Sequence, residues 1–176
     1  MKKIIQLGIL AAAITASCSS FAASNDGVQV NFSGKLVSSS CNVSVNGGQS
    51  TIDMGNVDTS GLKAGDTTAE VPFTVDISGC PSSVSSAALD FEGNAVSGDN
   101  TLFGLTASTG NAADQIGMLL KNTKSGGILT PNVSSSKQDL ANGAASIPLA
   151  AQMKLISSTV DEGDFTVSTS LHVIYD

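Results

Sequence analysis

Apolar residues recur at every second position along much of this chain, most clearly near its C-terminal end. After Gly163, the residues Phe165, Val167, Leu171, Val173 and Tyr175 share one phase, with Thr169 the single polar interruption. Thr166, Ser168, Ser170 and His172 occupy the other phase. Successive side chains of a strand point to opposite faces, so period two with β-branched and aromatic residues predicts a half-buried strand from Phe165 to Tyr175. The run reaches Asp176. Such a strand is either paired on both sides by earlier segments or left with an open edge that another chain can join.

The same alternation marks Val28, Val30 and Phe32, then Val43 and Val45 after Cys41, then Ile52, Met54 and Val57. It returns in Val71, Phe73, Val75 and Ile77, and again in Ala87, Leu89 and Phe91. Pro72 cannot donate a ladder hydrogen bond, so it belongs at a strand start or on an edge. Residues 102–105 fit a short strand or a turn. Residues 116–121, a turn containing Gly126 and Gly127, and Ile128 with Leu129 predict a hairpin. Leu149, Ala151, Met153 and Leu155 line one face of the penultimate strand. Glycine and asparagine punctuate the gaps, as at Asn46, Gly47 and Gly48, and no stretch carries a helical period. Short strands separated by turn signals predict an all-β sandwich.

The beginning of the chain reads differently. Lys2 and Lys3 precede an apolar run ending near Ala16, followed by small residues up to Ala22 and Ala23. This is the pattern of a secretory signal peptide, residues 1–22, with cleavage after Ala22 or Ala23. The run is too short to span a membrane. Cys18 raises a lipid-anchored alternative, but Thr15 stands where such signals carry leucine. Two of the eight lysines leave with the leader, so six lysines face fifteen acidic residues, a net charge of −9 without any arginine. Binding nucleic acid or anionic lipid needs a basic face that this chain lacks. The remaining Cys41 and Cys80 form an even pair in an exported chain, which predicts a disulfide; a metal site lacks further ligands.

No catalytic motif emerges. The sequence has no Gly-x-Ser-x-Gly elbow, and its one histidine, His172, reads as a solvated residue on an outer strand face. Asp161, Glu162 and Asp164 around Gly163 read as a solvated turn, with a calcium site as the alternative. Catalytic, metal and cofactor-binding residues are therefore expected to be absent.

Taken in order, these features resemble a chaperone–usher fimbrial (pilin) subunit of the type 1 pilin-like group. Cys41 follows Ser-Gly-Lys-Leu-Val at positions 33–37, and Cys80 closes Phe-Thr-Val-Asp-Ile-Ser-Gly-Cys. Ala-Leu-Asp-Phe ends at Phe91, Ile-Gly-Met-Leu-Leu at Leu120 and Ile-Pro-Leu at Leu149. Gly163 stands fourteenth from the end and Tyr175 second. The resemblance covers the whole chain after the leader.

It implies an incomplete immunoglobulin-like β-sandwich that lacks its final strand and is completed in trans by a donor strand. Residues 23–32 would be the N-terminal extension that donates Val28, Val30 and Phe32, and residues 33–176 the pilin domain. Gly163, Phe165, Val167, Leu171, Val173, Tyr175 and Asp176 would flank the open groove. The implied partners are a periplasmic chaperone that grips the carboxylate of Asp176, an outer-membrane usher, and neighbouring pilin subunits in a surface fimbria. The competing reading is a self-contained secreted sandwich that binds a carbohydrate or receptor.

Overall fold

A computed structural model describes residues 41–108 and 114–176. The leader 1–22, the extension 23–32 with Val28, Val30 and Phe32, and the residues up to 40 lie outside the described residues. Among those described there is no α-helix, and no helix long and apolar enough to cross a membrane. The strands are β1 (Asn42–Val45), β2 (Val71–Ser78), β3 (Ser86–Glu92), β4 (Ala95–Val96), β5 (Asp99–Phe103) and β6 (Ala107–Ser108). They continue with β7 (Ile116–Asn122), β8 (Ile128–Leu129), β9 (Gln138–Asp139), β10 (Ala145–Leu155), β11 (Phe165–Thr166) and β12 (Ser170–Tyr175).

The larger sheet runs β1-β2-β10-β7-β5-β4, with β8 added to β7; the smaller runs β12-β3-β9, and β11 pairs with β6. Phe73, Val75, Ile77, Ile147, Leu149 and Ala151 from the large sheet pack with Ala87, Leu89 and Phe91 from the small one. Two sheets sharing one apolar layer make a sandwich. The central strand β10 lies between β2 and β7, and Ala150 and Gln152 are buried on its outer side as well.

The two prolines that lie within strands sit where a ladder is interrupted. Pro72 opposes Ala150 on β10, beyond the point where β1 has ended at Val45 opposite Val75. Pro148 faces β7 where that strand turns, its carbonyl accepting the Thr123 N–H at 3.0 Å. Neither missing donor breaks a pairing.

The Cys41–Cys80 disulfide joins the start of β1 to the end of β2, with Cα atoms 4.4 Å apart. Beside it, Asn142 (φ 53°) and Gly143 (φ 72°) turn the chain from β9 into β10. Ala141 and Ala144 exchange hydrogen bonds of 2.9 and 3.1 Å, which defines a two-residue turn with positive φ at both central positions. Gly143 accepts the Cys80 N–H at 3.0 Å, and a Cβ on Gly143 would stand 2.4 Å from the Cys80 carbonyl oxygen.

On the outer face of the large sheet, Val96, Leu102 and Leu119 form a second small apolar cluster. Gly117 permits it, since a Cβ there would lie 2.8 Å from Val96 Cγ2. Lys154 of β10 reaches Asp99 of β5 at 3.1 Å. The Thr101 hydroxyl, 2.5 Å away, and then the Thr101 N–H and Lys154, hold the Asp99 carboxyl below its ordinary range against the opposing effect of partial burial.

Two expectations need correction. Residues 51–57 alternate in exposure, with Ile52, Met54 and Val57 half-buried, yet they form no ladder strand. The segment from Phe165 to Tyr175 is two strands. At residues 167–169 the chain changes partner from β6 to β3, and the Ser168 N–H donates to Thr106 Oγ1 at 2.8 Å instead of to a backbone carbonyl. The predicted β7–β8 hairpin is present, with Leu120 opposite Leu129.

Two measurements check this account. Gly143→Ala should cost about 3 kcal/mol or more in urea denaturation, through the clash with Cys80. Gly126→Ala, at φ 72° with nothing within 4 Å, should cost about 1–2 kcal/mol from backbone strain alone. Because the Asp99 carboxyl is depressed in the folded state, its stabilisation is complete above roughly pH 5 and lost as pH falls below roughly 4. The stability gap between the natural chain and Asp99→Asn should close over that window in an acid titration.

Candidate functional site

The last strand is held on one side only. β12 pairs with β3 from Ser170 opposite Glu92 to Tyr175 opposite Ala87, and its other edge has no ladder partner among the described residues. The large sheet likewise ends at β1, whose outer edge is unpaired among the described residues.

Burial exposes the consequence. Leu171, Val173 and Tyr175 point to the same side as the residues they oppose, Phe91, Leu89 and Ala87. Those β3 residues are 5%, 1% and 0% exposed, whereas all three β12 residues are only half-buried. Orientation is shared, so the difference is one of cover. β3 has neighbours on both edges: besides β12 and β9, its Phe91 and Leu89 carbonyls accept the Asn132 and Ser135 N–H groups at 2.9 and 2.7 Å. β12 has one. Val167 is half-buried against the same core, as are Val45, Ile52 and Met54 from the first strand and the segment after it. Phe165 packs with Met54 and Val57 on the neighbouring Ile116, Met153 and Leu155 cluster. A row of apolar side chains from each of two unpaired edges thus borders one incompletely covered core.

The terminal residue is engaged. The Asp176 main-chain oxygen accepts the N–H groups of Ser85 and Ser86 at 2.7 and 3.2 Å, and its own N–H donates to Ser86 at 3.0 Å. Lys137 donates to the Asp176 side chain at 2.7 Å. Burial pushes the Tyr175 phenol above its ordinary range. Gly163 lies in an exposed connection anchored where the Asp161 main-chain N–H donates to Gln115 Oε1 at 2.7 Å. Among the described residues, no group of three His, Cys, Asp or Glu side chains is placed to hold a metal.

One residue, solvated on the outer face as its sequence reading has it, gains a neighbour that this reading did not supply. His172 is exposed, but its Nε2 lies 3.3 Å from Glu92 Oε2 and it stands directly opposite Asp90 in the ladder. Asp90 Oδ2 accepts the Ser134 hydroxyl at 3.1 Å, while Asp90 Oδ1 is buried without a hydrogen-bond partner. These partners lie some eighty positions away in the chain, and no local pattern announces them.

The contrast in cover predicts a contrast in mutational cost. Leu89→Ala should lose about 3 kcal/mol, as expected for a fully buried leucine. Leu171→Ala should lose about 1 kcal/mol in the isolated subunit, because much of that side chain is already hydrated. Equal losses in chemical denaturation would contradict an uncovered edge.

The family model described as Fimbrial protein matches residues 30–176. The chain is 30% identical over 173 residues to the uncharacterized fimbrial-like protein SfmA of Escherichia coli K12, covering 95% of each chain. It is 31% identical over 159 residues to the fimbrial subunit type 1 of Salmonella typhimurium, covering 85% of this chain and 83% of that protein. Among solved structures, it resembles a chaperone–usher pilus subunit with TM-score 0.63 and 18% identity, covering 86% of this chain and 97% of the other. The P pilus rod subunit PapA gives TM-score 0.62 and 17% identity, covering 77% and 99%.

Proposed function

The chain belongs to the fimbrial protein family and is a structural subunit of a surface fimbria, and from that premise we propose that its subunits join by strand donation. In this reading residues 23–32 of one subunit lie along the unpaired edge of β12 in its neighbour, with Val28, Val30 and Phe32 covering the exposed apolar row. The observation that carries it is the half-buried state of Leu171, Val173 and Tyr175 opposite fully buried partners, on an edge with no ladder partner among the described residues. A strand added there would supply backbone hydrogen bonds and apolar cover together.

The magnitude is adequate. Burying three large apolar side chains contributes roughly 5–8 kcal/mol before the cost of ordering the donor, comparable to the net stability of a domain. Such an edge is also a hazard before assembly, since an unpaired strand recruits other chains indiscriminately. A periplasmic chaperone would cover it and hold the carboxylate of Asp176 until an outer-membrane usher brings the next subunit. Release must then free Asp176 for its contacts with Ser85, Ser86 and Lys137. Cleavage after residue 22 or 23 would expose the donor segment, and residues 33–176 would form the acceptor domain.

Thermal unfolding tests the assignment. Residues 33–176 alone should melt tens of degrees below the same domain carrying residues 23–32 on a flexible linker after Asp176. Replacing Val30 and Phe32 by Ser in the fused segment should abolish most of the gain. A domain that is stable and monomeric alone, and indifferent to the added segment, would overturn strand donation.

A further inference from the structure

We infer that Asn132 and Ser135 form an edge guard on β3, which confines the addition of an outside strand to β12. The ladder itself shows which groups need guarding. Ser86 and Asp176 exchange both main-chain hydrogen bonds, at 3.2 and 3.0 Å. In an antiparallel pair such residues alternate with ones whose main-chain groups point the other way. Leu171, Val173 and Tyr175 therefore present their N–H and C=O groups to the edge of β12 that has no ladder partner among the described residues. By the same alternation Ala87, Leu89 and Phe91, with Gly93 just beyond the strand, present theirs to the far edge of β3.

β9 covers only the start of that far edge, at Ser86 and Ala87. From Leu89 onward the segment 132–135 takes over, with side chains standing in for a strand's backbone. Ser135 brackets Leu89. Its N–H donates to the Leu89 carbonyl at 2.7 Å, and its Oγ accepts the Leu89 N–H at 2.9 Å, where a partner strand would offer a carbonyl. The Asn132 N–H donates to the Phe91 carbonyl at 2.9 Å. The Asn132 side-chain amide has the donor and acceptor of a peptide group, and both engage Gly93. Its Oδ1 accepts the Gly93 N–H at 3.2 Å, and its Nδ2 donates to the Gly93 carbonyl at 2.9 Å.

The segment presents no regular edge of its own. Asn132 is left-handed at φ 60°, which asparagine tolerates better than most residues, and Pro131 before it has no N–H. The Val133 N–H turns back to the Thr130 carbonyl at 3.3 Å. A ladder cannot continue along such a path. The far end of the large sheet is blunted by another means, since β4 has two residues and its register shifts between Ala95 and Val96. Strand addition is thereby left with the groove that β12 and β1 border. Without the guard, β3 would offer a second acceptor edge, and a fibre could branch.

The guard bears on assembly through strand donation, yet the two fail differently. Fibres assembled from the full chain are incubated with a labelled peptide of residues 23–32. Natural fibres should take up little, because each β12 edge is filled. Fibres of the Asn132→Ala/Ser135→Ala double variant should take up several-fold more, and should branch or bundle in electron micrographs. Ser135→Thr, which keeps the hydroxyl, should behave as the natural chain. If the double variant yields no fibre, Ser135→Ala alone should show the same rise in smaller measure. Uptake and morphology unchanged from natural fibres would overturn the guard, even if the Leu89 N–H then exchanged faster with deuterium, as a merely structural cap would allow. Heavy uptake already in natural fibres would count against strand donation instead. A further rise in the variant would still report the guard, and no further rise would overturn it.

Discussion

The constraint on which this fold turns is the one-sided support of β12 among the described residues. A strand needs two things from its surroundings: partners for its backbone groups, and cover for its apolar face. β3 gives β12 the first on one edge, and the opposing sheet gives the second in part. The residue left over is an apolar row that water still reaches at Leu171, Val173 and Tyr175. Because both deficits lie along the same line, a single extended segment can remove them together. Under the proposed strand donation, assembly is a completion of folding, and the contact between subunits has the character of an interior layer drawn from a core that the domain has already ordered.

Much of this was legible in the sequence because alternation reports which face of a strand is dry. Phe73, Val75 and Ile77, or Leu149, Ala151 and Met153, carry that signal and lie on the inner face as expected. The period says nothing about who the hydrogen-bond partner is. Ile52, Met54 and Val57 therefore looked like a strand while lacking a ladder, because side chains can alternate between core and solvent without a neighbouring backbone. For the same reason Phe165 to Tyr175 stayed in phase through residues 167–169 although the chain changed sheets there. Two-residue strands such as β4, β6, β9 and β11 are too short to display any period.

The candidate site divides along the same line. The apolar residues of β12 could be named from their spacing. Their incomplete cover could not, since it depends on what stands beside them in three dimensions. His172 makes the limit plain: Asp90 and Glu92 come from a strand far away in sequence, and register alone brings them together. The second apolar cluster under Val96 and Leu102 was equally hidden, because Gly117 contributes to it through the absence of a side chain.

The disulfide acquires another meaning when the subunit is considered as a link under tension. Whatever pulls on the segment preceding residue 41 enters the described fold at Cys41. The four-residue strand β1 would be a poor place to receive that load, since it borders only one neighbour among the described residues and could peel from it one hydrogen bond at a time. The covalent bridge passes the load to Cys80 at the end of β2, and β2 lies against the eleven-residue strand β10 at the centre of the large sheet. Force is delivered past the weakest seam and into the deepest one. Cys41 and Cys80 thus act as a mechanical shunt, and a reduced subunit would yield at β1 under loads that the oxidised one carries to its middle.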